Sequence, residues 1–419
     1  MKKPQALRTI AFVSLLCFAA TAAAQDLVIS NGRLLDGKGG IIDNATVVIR
    51  DGRIESVTAG SRSVAGLRTI DAGGKTVMPG FVEGHRHVIA GNPANWLSER
   101  APQQMQEFLD AGFTTVLSAI DAPPIVTARD RIARGEMQGP RLFTGTFIPV
   151  AGADPEAPPP QAGDPARTDP ARIGGATKAA PAIPREVIIG AIENAKKNGY
   201  DYLKTVVNTT PGGPEIDTLK LIVAEGNKRG MPTIVHAVSV KDSAAAIDAH
   251  PAMLVHTPHV GRLDQDPAAL QKIAGAGIPM TSTLAVFVPH FDAQGTALFR
   301  DGQPFPWDTL SSAGQGPVNA RLLWQAGMVY GYGTDTQWPP KQSLADELRA
   351  LRLVFSPREI VRIITANAAA ATLHGDDFGT LEPGKYGDIV IIDGDPMTDS
   401  SALLKVVTTI KEGRVVFSQ

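Results

Sequence analysis

The middle of the chain alternates short apolar runs with longer stretches of helical periodicity. Eight runs predict β-strands: 80–88, 114–120, 141–148, 201–207, 232–238, 253–259, 279–287 and 329–335. Helical stretches such as 186–199, 215–230 and 357–373 separate many of them. Because this alternation is typical of parallel βα units, eight strands predict a (β/α)8 TIM barrel over residues 79–374. An open doubly wound sheet is the alternative, but no glycine-rich phosphate turn follows an early strand.

The two ends of the chain have a different pattern. Residues 25–78 hold short alternating segments separated by Asn-Gly, Asp-Gly and Gly-Gly turns, and 375–419 repeat this pattern. We therefore expect both termini to form one small β-sandwich domain. Two long connections, 151–184 and 288–317, follow the third and seventh strands at the catalytic rim. The Pro- and Ala-rich 151–184 segment is either a lid or substrate wall, or a flexible insertion.

The first 24 residues predict a removable secretory signal peptide. A positively charged start, "MKKPQALR", precedes the apolar "TIAFVSLLCFAATA", and small residues continue to Ala24. The apolar run is too short for a membrane anchor, so we expect an exported protein, periplasmic or secreted. The single cysteine, Cys17, lies in this segment. A mature chain without cysteine has no thiolate ligands, so any metal must use histidine, carboxylate or a modified group.

Composition narrows the class of partner. The chain has 43% hydrophobic and 20% charged residues and a formal net charge of −2, which is typical of a soluble globular protein. This balance carries no sign of a nucleic-acid footprint or a polybasic membrane patch. We expect a small-molecule substrate, no nucleic-acid partner and no membrane partner, and we leave a homo-oligomer open.

Reactive side chains gather near the carboxyl ends of the predicted strands. Six residues are competent as metal ligands or bases: His85, His87, Lys204, His236, His256 and Asp335. In "GFVEGHRHV", His85 and His87 are two residues apart and so face the same side of a strand. Barrel active sites are assembled at this face from several strands. The pattern therefore indicates one shared metal site.

Each of these residues also has a structural alternative. His85 and His87 would be a pair of ordinary polar residues at a strand end. His236 and His256 would be core histidines that bind backbone groups. Lys204 would be a plain ammonium paired with Asp201. Asp335 would cap the following helix. Their joint occurrence argues against all these alternatives together.

The motifs together resemble the metal-dependent amidohydrolase superfamily, in its imidazolonepropionase-like and Xaa-Pro dipeptidase-like branch. The similarity runs from about residue 26 to 419 and includes "VMPGFVEGHRH", "GYDYLK", "VHA", "LVH", "GTD" and "LEPGKYGDIVIIDGDP". It implies an enzyme, a metal-dependent hydrolase of amide or peptide carbon–nitrogen bonds.

The resemblance also implies two divalent metal ions. It assigns six ligands: His85, His87 and Asp335 to the more buried ion, His236 and His256 to the second, and Lys204, as N6-carboxylysine, to both. Zinc is the default for such ligands, and manganese or cobalt would fit the same cage. A bridging hydroxide would be the nucleophile, and the second metal would polarise the scissile carbonyl. Asp335 would take the proton and pass it to the leaving amine.

Substrate contacts are predicted at three further residues. Tyr202 points to the same side as Lys204, and related peptidases use a Tyr-x-Lys strand to grip a substrate carboxylate; core packing is the alternative. His259, three residues after His256, would contact substrate or lie on the surface. Arg262 would meet an anionic substrate.

The leading hypothesis is amide hydrolysis of a dipeptide-like or N-acyl amino acid substrate, including Xaa-Pro peptides and ochratoxin-like aromatic conjugates. A mononuclear deaminase of the superfamily is one alternative, but such enzymes carry a glutamate where this chain has Ser239. A lactone or ester hydrolase is another. The last alternative is that the protein is a non-catalytic binding relative. Loss of one or more metal-ligand residues would favour this alternative, but all six are present in the sequence.

Overall fold

The computed structural model describes residues 26–152, 178–288, 290–291, 297–298 and 310–419. The predicted signal peptide, most of the 151–184 loop and much of 288–317 lie outside these residues, so the predictions made for them stay predictions. Within the described ranges, no helix combines the length and apolar character that a membrane span requires.

Five strands open the chain: β1 (Leu27–Leu35), β2 (Ile41–Arg50), β3 (Arg53–Ala59), β4 (Arg68–Asp71) and β5 (Thr76–Pro79). The barrel segment follows. Its strands are β6 (Phe81–Arg86), β7 (Phe113–Ser118), β8 (Arg141–Phe147), β9 (Tyr202–Val206), β10 (Thr233–His236), β11 (Met253–Val255) and β12 (Met280–Thr281), then the two-residue pair β13 (His290–Phe291) and β14 (Ala297–Leu298), and finally β15 (Tyr330–Gly331). All eight predicted barrel strands are confirmed, several of them shorter than predicted.

Helices connect these strands in the predicted alternation. They are α1 (Pro93–Glu99), α2 (Ala101–Asp110), α3 (Pro124–Ala133), α4 (Arg185–Lys197), α5 (Glu215–Lys228), α6 (Val240–Ala246), α7 (Pro267–Gly275), α8 (Leu310–Gln325), α9 (Pro340–Leu351), α10 (Pro357–Arg362) and α11 (Ala368–Ala371). A π-helical turn, Ile363–Asn367, joins the last two and completes the predicted helix over 357–373. The chain ends in β16 (Ile389–Ile392), β17 (Val406–Lys411) and β18 (Arg414–Ser418).

The eight barrel strands, β6 to β12 and β15, are parallel and follow one another in chain order, whereas β13 and β14 form a separate antiparallel pair. Backbone hydrogen bonds join the first strand to the last: Gly84 N donates to Tyr332 O at 3.0 Å, and Asp335 N donates to His85 O at 2.8 Å. A Cβ atom at Gly84 would lie 2.9 Å from Tyr332 O, so this close approach requires glycine. The predicted TIM barrel is therefore confirmed, and its closure brings Asp335 next to His85.

Strands from both termini form the small β-sandwich domain, as predicted. They are linked into one mixed sheet in the order β18-β17-β16-β5-β1-β2-β3, with β4 paired to β1. The two ends of the chain meet where β5 runs antiparallel to β16, with Met78 opposite Val390. Buried side chains such as Leu27, Ile49 and Ile389 form the separate apolar core of this domain.

Arg141 joins the small domain to the base of the barrel. It begins β8, and its guanidinium donates to Asp388 Oδ2 at 2.7 Å and to Glu412 Oε1 at 2.6 Å. The same guanidinium lies 4.0 Å from the ring centroid of Tyr386. These contacts fix the amino end of β8, whose carboxyl end lies at the opposite, catalytic face.

Candidate metal centre

Three predicted ligands, at or just beyond the carboxyl ends of three different strands, converge at the barrel mouth. His85, His256 and Asp335 each offer one ligand atom, and these atoms lie within 4.8 Å of one another. Asp335 Oδ1 lies 3.2 Å from His85 Nε2 and 3.0 Å from His87 Nε2. Asp335 Oδ2 lies 4.0 Å from His256 Nδ1. The carboxylate thus lies among three imidazoles.

The remaining two predicted ligands, Lys204 and His236, lie beside these four residues. Lys204 Nζ is 3.2 Å from His85 Nε2, and the His236 ring centroid is 4.3 Å from that of His256. All six residues singled out from the sequence therefore meet in one place. The barrel fold accounts for this, because the carboxyl ends of its parallel strands face one mouth.

Two of the structural alternatives are wrong. Asp201, the alternative partner of Lys204, instead accepts from Arg129 Nη1 at 2.8 Å, while Lys204 is only 2% exposed and points into the barrel. Asp335 does not cap the next helix, because α9 begins at Pro340 and its N-cap is Pro339. Both side chains are directed to the centre and away from these local partners.

The backbone around the site is strained. His256, Thr283 and Asp335 have φ angles of 77°, 47° and 53°, in the left-handed region that non-glycine residues rarely adopt. Such conformations cost about 1–3 kcal/mol each and cluster at functional sites. Thr283 also explains why β12 is shorter than predicted: the left-handed turn ends the strand and leads into a 3-10 turn at Leu284–Val286.

At His87 burial is outweighed by the hydrogen bond and charge of Asp335, which raise the pKa. Burial favours the neutral forms of the other nitrogen ligands. It lowers the pKa of His85 and His236 to about 3 and that of His256 well below its ordinary value. It also lowers the pKa of Lys204 to about 7, although Asp335 acts in the opposite direction. Neutral imidazoles, and an amine that loses its proton near neutrality, are the forms that bind metals or react with carbon dioxide.

Asp335 behaves differently from its neighbours. Burial alone would raise the pKa of its carboxyl, but the electrostatic interaction with the His256 ring and the hydrogen bonds from His85 and His87 hold the pKa well below its usual range. Asp335 is therefore an anion among nitrogen donors, of which His85, His236 and His256 are neutral. A side-chain exposure of 20% leaves part of the carboxylate accessible from the mouth.

The donor set fits a metal ion. His256 Nδ1 lies 2.8 Å from Thr283 Oγ1, whereas its buried Nε2 has no hydrogen-bond partner within the residues that the structure describes. Leaving a buried polar atom unsatisfied costs about 1–3 kcal/mol. A ligated cation would remove that cost. Imidazole and carboxylate donors suit zinc and neighbouring divalent ions.

Sequence reasoning missed the groups that orient the ligands. Glu83 accepts from His85 N at 3.1 Å, from Thr334 N at 3.0 Å and from Thr334 Oγ1 at 2.8 Å. Burial raises the pKa of Glu83 to about 7. This side chain thereby ties the first barrel strand to the segment that carries Asp335. Its place two residues before His85 was an available signal, because alternation puts both on one face.

A second set of contacts orients His87. Its Nδ1 lies 3.0 Å from Ile120 O, which leaves Nε2 directed at Asp335. Asp121 stabilises the turn after β6 by accepting from Val88 N at 2.6 Å and Ile89 N at 3.1 Å. Contacts of this kind set the tautomer and direction of a ligating histidine.

The three predicted substrate contacts lie in different surroundings. The Tyr202 hydroxyl donates to Thr372 O at 2.6 Å inside the barrel, which favours the core-packing alternative. His259 is 2% exposed and stacks on Phe287, with 3.5 Å between ring centroids, so the surface alternative is wrong. Arg262 is exposed and pairs with Asp264 at 2.5 Å. The structure does not bring Arg262 into contact with the six ligands.

Comparisons with known proteins agree with this geometry. A sequence model of the amidohydrolase family matches residues 76–416. Imidazolonepropionase of Thermoanaerobacter pseudethanolicus is 22% identical over 386 residues, which cover 84% of each chain.

Two solved structures share the fold. A Xaa-Pro dipeptidase with bound methionine superposes with a TM-score of 0.74 at 21% identity, over 93% of this chain and 99% of the other. The ochratoxinase of A. niger superposes with a TM-score of 0.72 at 19% identity, over 95% and 96% of the two chains. With the family match over most of its length, the chain belongs to the amidohydrolase family of hydrolases.

Proposed function

We propose that the protein is a binuclear metal-dependent amidohydrolase that cleaves the amide bond of a dipeptide-like or N-acyl amino acid substrate. The observation that carries this proposal is the buried Lys204 amine beside four histidines and one aspartate at the barrel mouth. Family membership and relatives named for dipeptide, ochratoxin and imidazolone-type substrates support carbon–nitrogen bond hydrolysis.

His85, His87 and Asp335 would hold the more buried ion, and His236 and His256 the second. When bound, the metal ions activate water and polarise the substrate carbonyl. This donor set alone carries a single negative charge against two dications.

Lys204 can supply the additional negative charge that this donor set lacks. A pKa of about 7 leaves much of its amine unprotonated near neutrality. The unprotonated amine can take up carbon dioxide and become a carbamate, an additional anionic ligand. An unreacted ammonium in the same place would be buried beside two dications, which is strongly unfavourable.

Asp335 would transfer the proton of the attacking water. Its carboxylate contacts His85 and His87 and retains partial access to the mouth, where a substrate must enter. In the proposed reaction it accepts a proton from the attacking water and delivers it to the leaving amine. His85 and His87 hold the carboxylate in place while it does so.

Ser239 disfavours deamination, the nearest rival chemistry. This residue occupies the position of the deaminase glutamate, and its hydroxyl caps α6 by accepting from Asp242 N at 2.9 Å. The same hydroxyl donates to Asp242 Oδ2 at 2.6 Å. Ser239 therefore lacks a carboxylate, and its hydroxyl serves as the N-cap of α6.

The test is elemental analysis of the purified protein, combined with assays before and after chelation. We expect two divalent ions per chain, loss of activity on chelation, and recovery with zinc, manganese or cobalt. The substrate panel contains Xaa-Pro dipeptides, N-acyl amino acids, an ester and a lactone. Metal-stripped protein that works as fast as the loaded form would refute the proposal, as would ammonia release with one bound ion.

A further inference from the structure

A large aromatic side chain stands exposed at the barrel mouth and has no part in the proposed metal chemistry. Phe147 is the last residue of β8 and is 44% exposed, whereas most phenylalanines of the described chain are buried. A single exposed apolar residue is ordinary on a protein surface. Its position beside the ligands is what calls for an explanation.

Strand register shows which way Phe147 points. It is paired with Lys204 in the parallel ladder between β8 and β9, and Gly145 is paired with Tyr202. Paired residues of neighbouring strands lie on the same face of the sheet. Because Lys204 and Tyr202 point into the barrel, Phe147 also faces the interior, on the strand next to Lys204.

A cavity of about 170 Å³ opens beside this ring. Its apolar lining includes Phe147, Pro149, Val150 and Val206, which we call the Phe147 pocket, and Asn208 and Thr210 add polar atoms. An apolar cavity of roughly 150 Å³ accommodates a benzene molecule. The pocket therefore has the size of one aromatic or branched aliphatic side chain.

One wall residue of the pocket is the strand partner of a metal ligand. Val206 is paired with His236 in the ladder between β9 and β10, so apolar wall and metal ligand share one level of the barrel. The carboxylate of Glu215, which also lines the cavity, is 3% exposed and accepts from the Thr210 hydroxyl at 2.6 Å. Its negative charge disfavours an anionic group and leaves apolar burial as the main attraction.

Resting on the proposed function, we infer that the Phe147 pocket binds a large apolar side chain of the substrate next to the scissile amide. Phe147 is thus a specificity-determining residue, and the enzyme prefers aromatic or branched apolar amides over their alanine counterparts. In a hydrophobic pocket one methylene group alone changes kcat/KM by about 10- to 200-fold, so a phenyl group should give at least this preference.

The test compares Phe147→Ala, Phe147→Leu and wild type on N-acetyl-L-phenylalanine and N-acetyl-L-alanine, together with the dipeptides Phe-Pro and Ala-Pro. We expect wild type to prefer the phenylalanine member of at least one pair by tenfold or more in kcat/KM. Phe147→Ala should reduce that ratio at least tenfold, with kcat/KM for the alanine member within threefold. Phe147→Leu should retain part of the preference. The control is Leu353→Ala, since Leu353 is also exposed, at 59%, but lies after α9.

Calorimetric titration of the same compounds into metal-stripped protein gives a readout that does not need turnover. Tighter binding of the phenylalanine member that depends on Phe147 supports the pocket, even if no compound is hydrolysed and the proposed function falls. Equal wild-type use and binding of both members of each pair would overturn the pocket. So would an unchanged ratio in Phe147→Ala, or an equal loss on both members accompanied by loss of metal.

Discussion

The two ends of the barrel both bury charged side chains, but they satisfy them differently. At the base, Arg141 binds Asp388 and Glu412 and stacks on Tyr386, so each charge has a protein partner. At the mouth, burial suppresses the charge of Lys204, and a buried nitrogen of His256 makes no hydrogen bond to the described residues. The base is complete without a ligand, whereas the mouth is not.

This difference separates stability from function within one strand, since β8 carries Arg141 at one end and Phe147 at the other. Residues at the bottom of a TIM barrel serve mainly to stabilise it, and those at the carboxyl ends serve chemistry. We therefore expect changes at the base to affect unfolding and changes at the mouth to affect metal binding and turnover. Four variants test this division.

The largest expected effect comes from Lys204→Ala at the mouth. Without the bridging group, turnover should fall about 10⁴-fold, on the order of 5.4 kcal/mol, together with metal content. Lys228→Ala, on a lysine whose side chain is 65% exposed, is the control. Assays with elemental analysis measure both effects, and near-normal turnover with two bound metals would contradict the assignment of Lys204.

Arg141→Ala at the base should mainly affect stability. It leaves Asp388, whose side chain is 3% exposed, without its cation, which costs about 3–5 kcal/mol. Urea denaturation measures the loss, and Arg134→Ala, which removes an exposed pair with Glu136, should change the stability little. Metal content and kcat/KM should stay within twofold where the variant is folded. Loss of metal from the folded variant would show that the two ends are coupled.

Thr283→Val examines the support of a single ligand. For His256 Nε2 to bind a metal, Nδ1 must donate its proton to the Thr283 hydroxyl, 2.8 Å away. Removing such a partner lowers metal affinity about 10- to 100-fold. Competition with a zinc chelator measures the change, and Thr283→Ser should stay close to wild type because it keeps the hydroxyl. Equal affinities of the Val and Ser variants would exclude this role.

The smallest effect is a pH dependence at the base. Burial alone would raise the pKa of Glu412. The charges of Lys411 and Arg141 outweigh burial and hold this pKa below its ordinary value of 4.5. Ionised Glu412 therefore stabilises the fold above about pH 4.5, and this contribution disappears as pH falls through the lower folded pKa. Because the side chain is 40% exposed, we expect below about 1 kcal/mol.

Urea unfolding of Glu412→Gln between pH 3 and pH 7 measures this contribution. The stability difference from wild type should shrink on the acid side of the range. A constant difference across the range would assign the effect to packing instead of charge.

The barrel and its ligands could be predicted because each depends on a local pattern. The strand at 80–88 carries His85 and His87 on one face, and parallel strands bring their carboxyl ends together wherever they lie in the chain. Asp335 could be predicted as a ligand from its position alone, because it ends the eighth predicted strand. Tyr202 shows the limit: its direction followed from alternation, but its partner, Thr372 O, is 170 residues away.

What the sequence could not indicate depends on distant contacts. Arg141 and Asp388 are 247 residues apart, and neither segment carries a local sign of the other. The left-handed turn at Thr283 cut short a run that its composition predicted as strand. The exposure of Phe147 depends on where neighbouring strands end, which the residues around it do not encode.

The pairing of β5 with β16 has a consequence for how the chain folds during synthesis. The Thr76 hydroxyl donates to Gly394 O at 2.6 Å, 318 residues later, so contacts of very high sequence separation join the two halves of the small domain, whereas each half also contains local antiparallel pairs. Until the ribosome has released β16, the edge of β5 has no antiparallel neighbour. The small domain is therefore completed only after the last strands of the chain have been synthesised.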